Sequence, residues 1–240
     1  MDDSAIALIA STPRALLCAI TVLMRVLTNS FSKYALKINF AKGKTEALMK
    51  LRGRNAVKTL DSLRHEGKIS IPLPKPYESD RLRIVEHYKH LGSHLSVDGS
   101  LMFDAQHRCS SALAAYVPLA HRIFGSGCIG AWLKMHFMSS PVLSRLLYNT
   151  QLWTPIVSPV RKLNGVYMRV LRRIACDCRF GRPSHTDLEI RVKLGQPSID
   201  CLLRRRRLLY ASRILTTKHL ALIAVLSLRV KSNRLPSVQT

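Results

Sequence analysis

Apolar residues recur along this chain in two rhythms, and the rhythm changes near residue 100. Ser4 to Ala10 is a short apolar run of the kind a buried strand carries. Ser11 or Thr12 then offers a helix cap, with Pro13 in the first turn. Leu16, Ile20, Leu23, Leu27 and Phe31 repeat at three- and four-residue steps, which predicts a helix through about Tyr34 with one apolar face. Leu36 to Phe40 alternates as a half-buried strand does. Gly43 turns the chain, and Thr45 to Leu51 reads as a returning strand. Arg52 to His65 is basic and shows no clear period. Lys68 to Ile71 alternates again, and Pro72, Pro74 and Pro76 mark a loop. Leu82 to Tyr88 and Ser93 to Val97 are strand candidates around the turn-like Lys89-His90-Leu91-Gly92, and Asp98-Gly99 closes that unit.

From Phe103 onward the period is helical. Helices are expected near 103–124, 129–150, 159–178, 185–193 and 198–216, with breaks at Gly125–Gly127, Trp153–Pro159, Arg179–Pro183 and Gly195–Pro197. A short helix from Lys218 to Val230 and a polar tail over 231–240 complete the reading. The fold class expected is an α+β region over residues 1–100 followed by a mainly α-helical region over 101–230, with no internal repeat.

Composition sharpens this picture. Nearly half of the 240 residues are apolar, enough for a real core, while 38 Lys and Arg stand against 14 Asp and Glu for a net charge of +24. Such an excess opposes compaction by self-repulsion, so it points to a polyanionic partner. A membrane is not expected to be that partner. Leu220 to Leu228 is about half the roughly 20 apolar residues of a spanning helix. The N-terminal apolar stretch is interrupted by Pro13 and Arg14, and Asp2 and Asp3 stand where a signal peptide is basic. An intracellular and nuclear location is the expectation, with six reduced cysteines. Cys176-Asp177-Cys178 near His185 lacks the spacing of a metal knuckle and reads as small packing residues on a helix.

Three short constellations carry candidate chemistry. Asp2-Asp3 precedes an apolar run, and adjacent carboxylates at the lip of a strand can hold divalent metals. Leu36-Lys37-Ile38-Asn39-Phe40 is followed by Lys42-Gly43-Lys44-Thr45-Glu46. Gly43-Lys44-Thr45 lacks the earlier glycine of a phosphate-binding loop, though a lysine on such a turn can reach a phosphate. Tyr88-Lys89-His90-Leu91-Gly92-Ser93-His94-Leu95 is a hairpin with basic and imidazole side chains. Each is an ordinary surface feature when taken alone.

Their order is more specific. Asp2-Asp3-Ser4-Ala5, Leu36-Lys37-Ile38-Asn39, Lys44-Thr45-Glu46 and Tyr88-Lys89-His90-Leu91-Gly92 together resemble the series in reverse transcriptases of non-LTR (LINE-type) retrotransposons. That series runs from an Asp-Asp catalytic turn through a helix and a Leu-x-Ile-Asn…Lys-Thr segment to a Tyr-x-x-Leu-Gly hairpin. Ser144 to Asn149, Trp153 and Leu163-Asn164-Gly165-Val166-Tyr167 are similar to the region after the palm, so the resemblance covers nearly the whole chain.

The resemblance implies a palm remnant followed by a thumb, in a fragment of an RNA-directed DNA polymerase that binds RNA and DNA. Asp2 and Asp3 would be catalytic carboxylates holding Mg²⁺. Lys44, with Lys42 as its rival, would lie near the incoming nucleotide's phosphates. Tyr88, Lys89, His90 and Gly92 would belong to a primer grip. The aromatic residue before the two aspartates, the fingers and the other metal-binding palm strand are not among these residues. The chain is therefore expected to be a truncated or decayed element that binds template–primer without polymerising alone. A non-catalytic basic helical RNA- or DNA-binding protein is the alternative.

Residues 161–213 hold fourteen basic and four acidic residues, and twelve of the basic ones are arginines. Arg161, Arg169, Arg172 and Arg173 lie partly on one helical face, opposite Leu163, Val166, Val170 and Ile174. Forked guanidinium groups suit phosphate oxygens, which makes Arg169, Arg172, Arg173, Arg204 and Arg205 candidate nucleic-acid contacts. The run Arg204–Arg207 spans most of a helical turn, so its four side chains cannot face one partner; it can also be read as a nuclear-localisation signal. His87, His90, His94 and His107 read as surface and packing residues. Tyr116, Trp132, Tyr148, Trp153 and Tyr167 are expected in the core, although aromatic rings can stack on bases.

Overall fold

The computed structural model describes residues 5–216, except Pro74, Pro76, Glu78, Ser79, Pro155, Asp177, Phe180, Gly181 and Ser184, and describes only the backbone of residues 178, 179, 182 and 183. Two compact units divide between Asp104 and Ala105. The first is α+β and the second is dominated by helices. The helix expected over 218–230 and the tail lie outside the described residues.

In the first unit, α1 spans Pro13–Lys33, and the Thr12 side chain accepts the Ala15 amide at its start. Ile20, Met24 and Thr28 form its buried stripe. By length and composition α1 could cross a membrane. Here Ile20 and Met24 join Phe40, Met49, Ile71, Leu73 and Leu82 in the core of this unit. The core lies against a four-stranded mixed sheet ordered β1-β4-β3-β2. Its strands are β1 (Glu46–Ala47), β2 (Arg64–His65), β3 (Lys68–Pro72) and β4 (Arg81–Ile84). β1 runs parallel to β4, with Glu46 opposite Arg83, and the other pairs are antiparallel. The aperiodic stretch after residue 52 holds a short helix, α2 (Ala56–Ser62).

Four strand expectations fail; one of them, Leu82 to Tyr88, is broken at Val85 and Glu86, and its second part runs on through His90. Residues 5–10 are not in a strand, and Thr45 to Leu51 shortens to the two residues of β1. Leu36 to Phe40 has the right alternation but no ladder. Its polar groups are taken by side chains instead: the Ile38 amide donates to the Tyr77 hydroxyl at 3.1 Å, and Arg83 donates to the Phe40 carbonyl.

A separate hairpin pairs β5 (His87–His90) with β6 (Ser93–Ser96) through Leu91 and Gly92, both at positive φ. Two left-handed central residues match the right-handed twist of a two-residue hairpin. The hairpin is fixed to the start of α3 (Met102–Leu119). The His87 ring stacks on Phe103 with centroids 4.0 Å apart, His94 meets the same ring edge-on, and the buried Asp104 carboxylate accepts the His94 amide. These two histidines are packing residues, as expected.

In the second unit, α3 widens into a π turn at Ala120–Phe124. A second π turn over Met138–Leu143 joins α4 (Ala131–Phe137) to α5 (Ser144–Leu146). Pro118 precedes the first turn and Pro141 sits within the second; proline cannot donate the helical hydrogen bond, which favours a local change of pitch. α6 (Val157–Ala175) is central. Leu163, Val166, Tyr167, Val170, Leu171 and Ile174 are buried along it. The helix ends at Cys176, which adopts a left-handed cap and is exposed. Cys176 is therefore not a packing residue within a helix, and Cys178 lies in a two-residue strand. α7 (Asp187–Lys193) begins with a reciprocal capping box between Thr186 and Glu189, and α8 (Ile199–Thr216) packs against α6.

Of the aromatic residues expected in the core, Tyr167 and Trp153 are buried. Trp132 and Tyr148 are exposed, and His136 stacks beside Trp132. The Tyr167 hydroxyl donates to the Pro197 carbonyl at 2.9 Å, and burial pushes its pKa up to about 12. The folded pKa lies above the ordinary value of about 10, so this group's stabilisation is complete below pH 10 and is lost as pH rises towards 12. In a tyrosinate absorbance titration, one of the seven tyrosines is expected to ionise late, together with loss of helical circular dichroism; Tyr167→Phe is expected to remove that late step.

Candidate nucleic-acid interface

The first unit brings two of the sequence constellations together. Between Asn39 and Glu46 the chain makes a compact turn. The Asn39 carboxamide oxygen accepts the Ala41 amide, its main-chain carbonyl accepts the Thr45 amide, and the Glu46 carboxylate accepts the Gly43 amide. Gly43 sits at φ +77°, where a β-carbon is disfavoured. Lys42 and Lys44 are both exposed on this turn. The Tyr88 hydroxyl donates to the Lys44 carbonyl at 2.9 Å, tying the β5–β6 hairpin to the lysine turn.

Lys89 is exposed on β5, His90 is half-buried beside the tip, and Gly92 supplies one of its two left-handed residues. The other is Leu91, exposed and at φ +47°. A leucine gains nothing from either condition. The sequence alone marks Leu91 only as part of a turn, because its backbone conformation does not follow from composition.

Asp98 closes the unit by accepting the Ser96 hydroxyl and the Ser100 amide, and these hydrogen bonds hold its carboxyl below the usual range. Asp2 and Asp3 lie outside the described residues. Among the described residues no group of three His, Cys, Asp or Glu side chains could hold a metal ion.

In the second unit the candidate arginines divide. Arg172 donates to the His185 carbonyl and forms an ion pair with Asp187 at 2.7 Å. Arg173 donates to the Ala120 carbonyl, which also accepts the Gly125 amide at the end of the π turn. Both are engaged with their own chain. Arg169, Arg204 and Arg205 are exposed, and none has a hydrogen-bond or ion-pair partner among the described residues.

The four-arginine run splits as its helical spacing requires. Arg206 donates to the Leu147 carbonyl at 2.6 Å and Arg207 to the Trp153 carbonyl at 3.2 Å. Burial lowers the Arg206 pKa. Arg108 is also buried, its guanidinium carbon 5.5 Å from the Tyr148 ring and 5.7 Å from that of Trp153. None of these inward roles is legible in the sequence, because the accepting carbonyls belong to distant segments. Arg161, Arg191, Arg204 and Arg207 line a cavity beside α6 that no sequence signal announces.

No family model, curated protein or solved structure matches this chain.

Two stability measurements separate these roles. Leu91→Asn is expected to raise the unfolding free energy by about 0.5–1 kcal/mol in urea titration, since asparagine tolerates the left-handed region. Arg206→Ala is expected to cost about 1.5–3 kcal/mol by leaving a carbonyl without its charged donor, whereas Arg205→Ala should change stability by less than about 0.5 kcal/mol. Equal effects of the two arginine substitutions contradict the inward–outward division.

Proposed function

We propose that this chain is the template–primer-binding part of an RNA-directed DNA polymerase of the non-LTR retrotransposon type. The observation that carries the reading is the hydrogen bond from Tyr88 to the Lys44 carbonyl. It joins two of the motifs that carry the resemblance, 44 residues apart in sequence, in one surface feature. Lys42 and Lys44 are compact ammonium donors for phosphate, Lys89 adds charge on the adjoining hairpin, and Leu91 offers an apolar edge that can rest against a sugar or base.

In the second unit, Arg169, Arg204 and Arg205 supply further charge for the backbone of a duplex. Mg²⁺ belongs to this reading only through Asp2 and Asp3 in the intact parent, and the function proposed for the described residues is binding alone. Nuclear action follows if the substrate is chromosomal DNA. Inward rotation of Arg206 and Arg207, however, leaves Arg204 and Arg205 as the accessible part of the basic run.

A non-catalytic basic helical RNA- or DNA-binding protein is favoured by a separate observation: exposed Arg169, Arg204 and Arg205, together with exposed Trp132, need no polymerase geometry. The two readings differ at the end of the primer. Affinity should be measured for an RNA–DNA duplex with a recessed 3′ end and for a blunt duplex, each against salt. Both should bind with log Kd rising roughly one unit per phosphate contact for each unit of log salt. The polymerase reading expects a preference for the recessed end that Tyr88→Phe and Lys44→Ala reduce by about three- to tenfold, with Arg169→Ala and Arg205→Ala weakening both duplexes alike. Equal affinity for both ends, unaffected by Tyr88→Phe, leaves only the helical nucleic-acid-binding protein.

A further inference from the structure

The second unit contains a half-open cavity of about 480 Å³ bounded by α6, α7 and α8. This lies within the roughly 300–1,000 Å³ of small-ligand sites. Its lining is mixed. Val157, Val160, Ile199 and Leu203 are apolar, while Arg161, Arg191, Arg204 and Arg207 are cationic. Two carboxylates also reach the lining, and one of them, Asp187, is already paired with Arg172 at 2.7 Å. Asp200 is exposed. Cationic donors therefore exceed the carboxylates available to satisfy them.

The donors are also uncommitted in an informative way. Arg191 uses its Nε on the Asp187 carbonyl and Arg207 uses one Nη on the Trp153 carbonyl, which fixes the position of each head group. The Arg207 Nε is buried without a hydrogen-bond partner. Arg161 and Arg204 have no partner among the described residues. The Arg207 Nε is shielded from the cavity space, but the uncommitted head groups of Arg161 and Arg204 can fork onto an oxygen-rich anion that enters it.

We propose that this cavity holds a single phosphate-bearing nucleotide, its phosphate oxygens taken by the arginines and its base packed on the apolar residues of the lining. A bare anion would use only half of the lining, and an apolar molecule would leave the guanidinium groups dry. The nucleotide is either free or one unit of a single strand, since both present the same chemistry. The choice of a nucleotide as the ligand rests on the nucleic-acid function proposed for the chain; the charge and shape of the cavity do not.

The test is calorimetric titration of the full chain with adenosine 5′-monophosphate, with inorganic phosphate and adenosine as controls. Arg161→Gln removes one donor. Val157→Asp adds a carboxylate to the lining without removing any cation. Both positions are exposed near the start of α6, so folding should persist, and circular dichroism checks it. Saturable binding of the monophosphate, tighter than that of phosphate or adenosine and weakened about tenfold by each substitution, is the expected result.

Three results overturn the proposal: no monophosphate binding at about 1 mM, phosphate binding as tightly as the nucleotide, or both variants binding like the parent chain. Competition by single-stranded oligothymidylate assigns the site to a strand, and failure to compete assigns it to free nucleotide. Duplex affinity measured on Val157→Asp separates the two proposals. Loss of nucleotide binding with duplex binding kept places the nucleotide in the cavity and the duplex elsewhere. A parent chain that binds the monophosphate but no duplex sinks the template–primer reading alone.

Discussion

A chain with 38 basic and 14 acidic residues must fold against its own repulsion, and the way it does so shapes both units. Carboxylates are too few to pair with every arginine. Several guanidinium groups donate instead to main-chain carbonyls: Arg83 to Phe40, Arg173 to Ala120, Arg206 to Leu147 and Arg207 to Trp153. The Ala120 and Leu147 carbonyls also accept from Gly125 and Thr150, so each arginine there adds a second donor to an acceptor with two lone pairs, and the contacts fix loop positions without neutralising the charge. The fold is thus held partly by cations whose field persists at its surface, the condition for attracting a polyanion. Arginine suits this use because one planar head can serve two or more acceptors and stays charged when half-buried.

The two units use backbone irregularity differently. In the first, polar side chains close the turns. Asn39 and Glu46 shape the lysine turn, Asp98 closes the hairpin, and the Tyr88 hydroxyl joins turn to hairpin. In the second, helices change pitch at prolines and end in caps, and arginines and aromatic rings occupy the gaps. At the π turn over Ala120–Phe124 the Ala120 carbonyl accepts both the Gly125 amide and the Arg173 guanidinium, so an apparent phosphate contact is spent on the chain itself. Gly125 packs so closely against the Arg173 head group that a β-carbon there would stand 2.5 Å from it.

Position on a helix, more than residue type, therefore decides which arginines are available. Arg172 and Arg173 are adjacent to the apolar stripe of α6 and turn into the protein, while Arg169, one turn earlier, remains in solvent. Within α8 the same division separates Arg204 and Arg205 from Arg206 and Arg207. Of the candidate arginines, Arg169, Arg204 and Arg205 keep their charge at the surface of α6 and α8, and Arg204 also lines the cavity these helices share with α7.

Local pattern determined much of this protein. The capped helix at Pro13, the hairpin around Leu91 and Gly92, the boundary near residue 100 and the order of the later helices follow from period, caps and prolines, all of which act within a few residues. The basic excess was equally plain. Tertiary structure decided the rest, because it turned on partners far away in sequence. Leu36 to Phe40 alternates like a strand, yet Tyr77 and Arg83 take its polar groups and no ladder forms. Trp132 has the spacing of a core residue and lies in water. Whether an arginine faces a phosphate or a carbonyl depends on where a distant loop presents an acceptor, as between Arg206 and Leu147, 59 residues apart. A one-dimensional pattern records where charges stand on a helix, but not which surfaces the folded chain brings to meet them.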